Sequence, residues 1–142
     1  ALRVHGLQHN KNLIINCKNS EADCLSLIRR KLKNKNRPDG IVGSVEKLTT
    51  AVYTICNELK LKIPQDVKVI SFSSLQIASL LNPSLTTITQ PAFEMGEIAT
   101  QFLLQLIESK RPVTDFETRV LTTELLIRDS TKRTRTKAKE IA

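Results

Sequence analysis

Residues Pro83–Ser109 read PSLTTITQPAFEMGEIATQFLLQLIES, and this stretch decides the fold. Thr86, Thr87 and Ile88 are branched at Cβ, which suits a pleated strand better than a helix. Pro91 has a fixed φ and no N–H, so it fits the first turn of a helix. Met95, Ile98, Ala99, Phe102, Leu103, Leu106 and Ile107 then recur at steps of three and four, which places them on one helical face. The spacing predicts a strand passing into an amphipathic helix over 93–109.

Upstream the same alternation continues. Val67–Phe72 is a short apolar run behind the turn residues Ile63, Pro64, Gln65 and Asp66, and reads as a strand. Before it, Val45, Leu48, Val52, Ile55, Cys56 and Leu59 form a helical stripe ending near Lys60. Ile41 and Val42 make another short strand, preceded by the turn chemistry of Pro38, Asp39 and Gly40. Ser20 and Asp23 have the spacing of a capping box, and Cys24, Leu25, Ile28 and Leu32 supply the stripe of a further helix. Leu13, Ile14 and Ile15 read as a buried strand. Strand, helix, strand at these lengths is a βαβ unit, which requires parallel strands and a right-handed crossover. Leu75 to Leu81 suggests one or two helical turns. Past the turn at Arg111 and Pro112, Val120–Leu121 and Leu125–Ile127 are candidate strands, and residues 129–142 are expected to be a loose basic tail.

Asp66, Val69 and Phe72, followed by Pro83, Leu85, Thr86, Thr87, Ile88 and Gln90, stand at the positions of a D-x-x-V-x-G-[FY] strand and a P-x-L-T-T-I-x-Q segment. In these residues the chain resembles the effector-binding core of the lactose-repressor (LacI/GalR) family. RPDGIVGS (residues 37–44) is similar to the family's strand before its effector-contacting turn, and ALRVHG (residues 1–6) to the end of a preceding helix. The resemblance implies an α/β fold: a three-layer α/β/α parallel sheet, forming part of a periplasmic-binding-protein-like (type I) lobe. Residues 1–128 would be a fragment holding the second lobe plus the last crossover and a helix of the first. By the same resemblance Thr86, Thr87 and Ile88 form a hinge strand, and Val52, Ile55, Leu75, Ala78 and Leu81 belong to a homodimer interface. The implied role is ligand sensing by a DNA-binding regulator in the cytoplasm. Operator DNA would be reached only through an N-terminal helix-turn-helix that this sequence does not contain.

Ligands of open α/β sheets bind beyond the carboxyl ends of the strands, where loops and helix N-termini offer polar groups. Those ends are Gly43-Ser44 and Ser73-Ser74. The family usually has Asn-Asp in the first loop and an Asp in the second, groups suited to sugar hydroxyls. Ser44 and Ser73 are therefore the candidate effector contacts, although helix capping, a compatible role, is the preferred reading of each. The departure leaves open a sugar-like effector, a larger, phosphorylated or otherwise anionic one, or a site without ligand. Ala92, where the family often places a ligand-facing side chain, adds little.

The 142 residues fit one domain, and 40% apolar content suits an aliphatic core. The chain opens at Ala1 without Met, which suggests a piece of a longer protein. No run reaches the roughly 18 apolar residues of a membrane span, and the start lacks a signal peptide's apolar block. Cys17, Cys24 and Cys56 form no metal-ligand pattern and are expected to be buried reduced thiols. The net charge of +8 concentrates in residues 29–37 (RRKLKNKNR) and 128–139, without interleaved aromatics. A solvated helix end is preferred there to a basic nucleic-acid-binding module. A solute-binding protein of the same fold is the other alternative. His5 and His9 lack a partner at suggestive spacing, and Glu94 with Glu97 reads as exposed helix charge. No phosphate loop, nucleophile elbow, metal motif or cofactor motif is visible, and no enzyme is expected.

Overall fold

A computed structural model describes residues 2–6, 10–17, 20–74, 76–109 and 117–132. Three helices, α1 (Glu21–Leu32), α2 (Glu46–Glu58) and α3 (Ala92–Glu108), alternate with strands β1 (Gly40–Gly43), β2 (Lys68–Phe72), β3 (Thr86–Thr89) and β4 (Glu124–Leu126). The sheet order is β1-β2-β3-β4. β1, β2 and β3 are parallel, with Gly43 opposite Ser71 and Phe72 opposite Ile88, and β4 adds an antiparallel edge. The expected parallel sheet is thus parallel-dominated, and of the two candidate strands near the end only the one around Leu125 forms.

Local chemistry sets the helix ends. The Ser20 hydroxyl accepts from the Asp23 N–H at 3.1 Å and caps α1. At the carboxyl end of α2, Lys60 takes φ 56°, and the Leu61 N–H reaches the Cys56 carbonyl at 2.8 Å. This is the left-handed closure that returns orphan carbonyls to a partner. Tyr53 then donates to the Pro83 carbonyl at 2.9 Å and fixes α2 to the loop entering β3.

α1 and α2 cover one face of the sheet. Cys24, Ile28 and Leu32 of α1 meet Val52, Ile55 and Cys56 of α2 and Val67, Val69 and Leu85 of the sheet region in one core cluster. Glu21 pairs with Lys47 at 3.1 Å and Arg29 with Glu58 at 2.6 Å, so the two helices run in the same direction. Such exposed pairs contribute little energy each; Arg29 with Glu58, and Arg37 with Asp66 at 3.4 Å, do neutralise part of the basic run. The opposite face carries Val42, Ile70, Phe72, Ile88 and Leu125 by strand register. Val42 is 66% exposed and Leu125 52%, so the described residues supply two of the three expected layers. α3 buries no residue.

Three expectations are corrected. Leu13–Ile15 is not a strand: the Asn10 side chain caps a 3-10 turn over Lys11–Leu13, no neighbouring strand pairs with it, and Leu13 and Ile14 are exposed. Cys17 and Cys24 are disulfide-bonded rather than reduced, because the end of this segment returns to α1 with 5.0 Å between the two Cα atoms. Cys56 alone is a buried free thiol.

The chain beyond Asp129 is also not loose through Lys132. Ser130 is fully buried between the amino ends of β2 and β3. Its hydroxyl donates to the Val69 carbonyl at 2.6 Å and accepts from the Thr86 N–H at 2.8 Å, while its own carbonyl accepts from the Val69 N–H at 3.1 Å. Arg128 donates to the Leu85 carbonyl at 2.7 Å and to the Thr87 hydroxyl at 2.8 Å. Asp129 accepts from Lys132 and Ser84, and those bonds, that of Lys132 above all, hold its carboxyl below the usual carboxylate range. The remainder of the expected tail, residues 133–142, lies outside the described residues.

Candidate functional site

The carboxyl ends of β1, β2 and β3 come together at one edge, and a chain of hydrogen bonds ties their loops. Ser73 is 5% exposed and its hydroxyl donates to the Glu46 carboxylate at 2.9 Å, joining the loop after β2 to the first turn of α2. The Ser73 N–H donates to the Ile88 carbonyl at 3.1 Å, joining that loop to β3. The Ser74 hydroxyl donates to the Gln90 carbonyl at 3.2 Å and accepts from the Gln90 N–H at 3.3 Å.

Beneath this edge the packing is close. The Thr49 hydroxyl donates to the Ser71 hydroxyl at 2.7 Å, and Ser71 donates to the Gly43 carbonyl at 3.3 Å. A Cβ on Gly43 would stand 2.5 Å from Thr49 Oγ1, so glycine is required there for the approach of α2 to β1. The two strands and the helix that carry the edge are therefore locked to one another below it.

Ser44 is exposed at the same edge. It does not cap α2: the N-cap position is Val45, and no side chain fills the cap. The Ser73 hydroxyl donates to Glu46 across to the first turn of α2. The residue that sequence reading missed is Glu46, whose only signal was an acidic group in the first turn of a helix, where the helix dipole favours it. With Ser44, Ser73 and Ser74 it makes a hydroxyl-and-carboxylate surface suited to hydrogen bonding. It contains no nucleophile–base pair, and among the described residues no group of His, Cys, Asp and Glu is placed to hold a metal ion.

The remaining expected site residues fall elsewhere. Val52 (3% exposed), Ile55 (0%) and Ala78 (2%) are filled core positions, because α2 and the 3-10 turn at Gln76–Ser79 turn them toward the sheet; they leave no surface for a second copy. Leu81 is half-buried, and Leu75 lies outside the described residues. The exposed apolar residues beside them are Ile77 and Leu80, the latter 80% exposed. Thr86, Thr87 and Ile88 form an interior strand paired on both sides, and the chain leaves the sheet only at Gln90 and Pro91. His5 is exposed, His9 lies outside the described residues, and Glu94 and Glu97 are exposed on α3. Two concave surfaces lie along α3, one of them about 450 Å³ and lined also by Arg119–Leu121 and by Gln90 and Pro91 just past β3.

Comparison with known proteins gives one consistent answer. The model of the periplasmic binding protein-like domain matches residues 1–131. A ribose operon repressor of Halalkalibacterium halodurans is 26% identical over 88% of this chain and 37% of its own length. A ribose operon repressor of Haemophilus influenzae is 31% identical over 72% of this chain and 30% of its own length. Among solved structures, the transcription regulator CcpA of Lactococcus lactis superposes with a TM-score of 0.76 at 25% identity, covering 92% of this chain and 47% of that one. The chain thus spans about a third of the length of these curated relatives.

Proposed function

The chain belongs to the family of periplasmic binding protein-like domains, and from that premise we propose that it is the ligand-sensing and dimerising region of a LacI-type DNA-binding transcriptional regulator acting in the cytoplasm. The observation that carries the ligand-sensing part is the bonded edge at the carboxyl ends of three parallel strands, where Ser73 orients the Glu46 carboxylate at 2.9 Å. Ser44 and Ser73 are the assigned effector contacts, joined by Glu46. The family's carboxylate after β2 is replaced here by one at the start of α2. A carboxylate is a charge-assisted acceptor for hydroxyls and repels anions, so a neutral sugar-like effector fits this edge better than a phosphorylated one.

In this reading the effector binds between this lobe and a second one. It favours one arrangement of the lobes and so shifts the spacing of two DNA-binding heads; coupling of that kind is a difference in affinity for two states. The segment at Gln90–Pro91, where the chain leaves the sheet, is the better place for the flexing that was assigned to Thr86–Ile88. Dimerisation is carried by Ile77, Leu80 and Leu81, the exposed and half-exposed apolar residues beside the filled core positions. No helix among the described residues is long and apolar enough to cross a membrane.

Calorimetric titration with ribose and glucose, and with their phosphate esters, tests the assignment. Neutral sugars are expected to bind more tightly than the esters. Ser73→Ala is expected to weaken that binding by about tenfold, the worth of one hydrogen bond in a charge-assisted pair. Tighter binding of the esters would overturn the assignment. Unchanged sugar affinity with lowered stability would make Ser73 a structural residue only.

A further inference from the structure

The disulfide between Cys17 and Cys24 has no part in effector binding as described, yet it sits at the same edge of the lobe. The helices α1 and α2 run in the same direction, with Glu21 paired to Lys47 near their amino ends and Arg29 to Glu58 near their carboxyl ends. The amino-terminal part of α1, which carries Cys24, therefore lies on the side where Glu46 begins α2. We propose that Cys17 and Cys24 form a thiol–disulfide exchange site that reacts with small-molecule disulfides and, when oxidised, clamps the segment 10–17 onto α1 beside the effector edge.

Three observations carry this. The two Cα atoms are 5.0 Å apart, within the range that a disulfide bridges without moving the backbone. The segment is otherwise lightly held: a 3-10 turn with no buried residue is followed by the exposed Leu13 and Ile14, and only Ile15 and Cys17 pack against the core. Forming or breaking the bond therefore decides whether the segment is fixed. Third, Cys56 is 1% exposed and burial pushes its thiol up, which makes it inert and confines exchange to the other two cysteines. Resting on the proposed cytoplasmic regulator, the pair would work in a reducing compartment, where disulfides that do form are typically transient and redox-sensing.

The chemistry balances with a disulfide RSSR as oxidant. Cys17 is half-buried whereas Cys24 is 4% exposed, so Cys17 is the sulfur that reacts first. Its thiolate attacks one sulfur of RSSR, the S–S bond breaks, and the departing thiolate takes up the proton that Cys17 lost. The Cys24 thiolate then attacks Cys17 in the mixed disulfide and expels the second thiolate, which takes up the proton of Cys24. Two protein thiols are oxidised and RSSR is reduced to two RSH.

The test treats the fully reduced chain with oxidised glutathione and follows intact mass, thiol count and amide hydrogen exchange. Three thiols are expected to fall to one, Cys56, with the loss of two hydrogens in mass, slower exchange over 10–17, and full reversal by dithiothreitol. Cys24→Ser is expected to stop at a glutathione adduct on Cys17. Three thiols persisting, a stable adduct on the unsubstituted chain, or a Cys24→Ser chain that takes up no glutathione would each overturn the proposal. Neither effector nor DNA enters these readouts, so their failure is separable from failure of the regulator reading.

Discussion

Replacing Ser130 with Ala should be among the most damaging single changes outside the aliphatic core, although it removes one oxygen atom. Ser130 has no exposed surface. Its hydroxyl is bonded to the Val69 carbonyl at 2.6 Å and the Thr86 N–H at 2.8 Å. Val69 is itself fully buried and Thr86 is 2% exposed, so neither group left behind has ready access to water. Each of the two groups left without a partner costs about 1–2 kcal/mol, within the usual range for a stranded buried group. The expected cost is therefore about 2–4 kcal/mol, a large share of the 5–15 kcal/mol typical of a domain. In urea melts followed by far-ultraviolet circular dichroism this lowers the midpoint by about 1–2 M at an ordinary slope. Ser84→Ala serves as the control, because it removes two exposed bonds, to the Asp129 carboxylate at 2.7 Å and from the Asp129 N–H at 3.2 Å, and should cost under about 1 kcal/mol. A loss below about 0.5 kcal/mol for Ser130→Ala, the range of an ordinary surface change, would refute the view that residues 128–131 close the amino end of the sheet.

Two further outcomes are expected. Gly43→Ala brings a Cβ to 2.5 Å from Thr49 Oγ1 and 3.3 Å from Ser71 Oγ, and should destabilise by about 1–3 kcal/mol in the same melts; a neutral effect would show that α2 can move off β1 freely. Burial raises the Tyr53 hydroxyl from 10.0 to about 12, so the unfolded chain loses this proton first and Tyr53's contribution is full below pH 10 and declines between pH 10 and 12. The stability difference between the natural chain and Tyr53→Phe should therefore shrink between about pH 8 and about pH 11, and a constant difference would contradict the half-buried, neutral phenol.

The periodic parts of this chain were legible because one side of α1, α2 and β2 is buried against the others, and α3 carries the same spacing although it buries no residue. The steps of three and four in α1, α2 and α3 and the apolar run of β2 gave elements close to those observed, and the turn residues around Pro38 and Pro64 separated them. Leu13–Ile15 misled because a short apolar run specifies a strand only when a neighbour pairs with it, and Asn10 instead closes a local turn. Ser130 was unreadable for a different reason. A serine in a polar, basic stretch resembles solvated chain, and the partners of its hydroxyl, at the amino ends of β2 and β3, are far away in sequence. The site was half legible: the strand ends located Ser44 and Ser73, whereas Glu46 was visible only once Ser73 Oγ lay 2.9 Å from it. The family resemblance puts Val52 and Ile55 on a dimer surface, but α1 and the sheet together bury them within one chain.

The dimerising, ligand-sensing account is tested most directly by the solution mass of this chain, measured by light scattering over a range of concentrations beside the variant Leu80→Glu. Leu80 is 80% exposed, so a charge there leaves the fold intact and acts only on association. The natural chain is expected at twice the monomer mass, and the variant at the monomer mass of 16.0 kDa. A natural chain that stays monomeric at every concentration, or a dimer indifferent to Leu80→Glu, would contradict it.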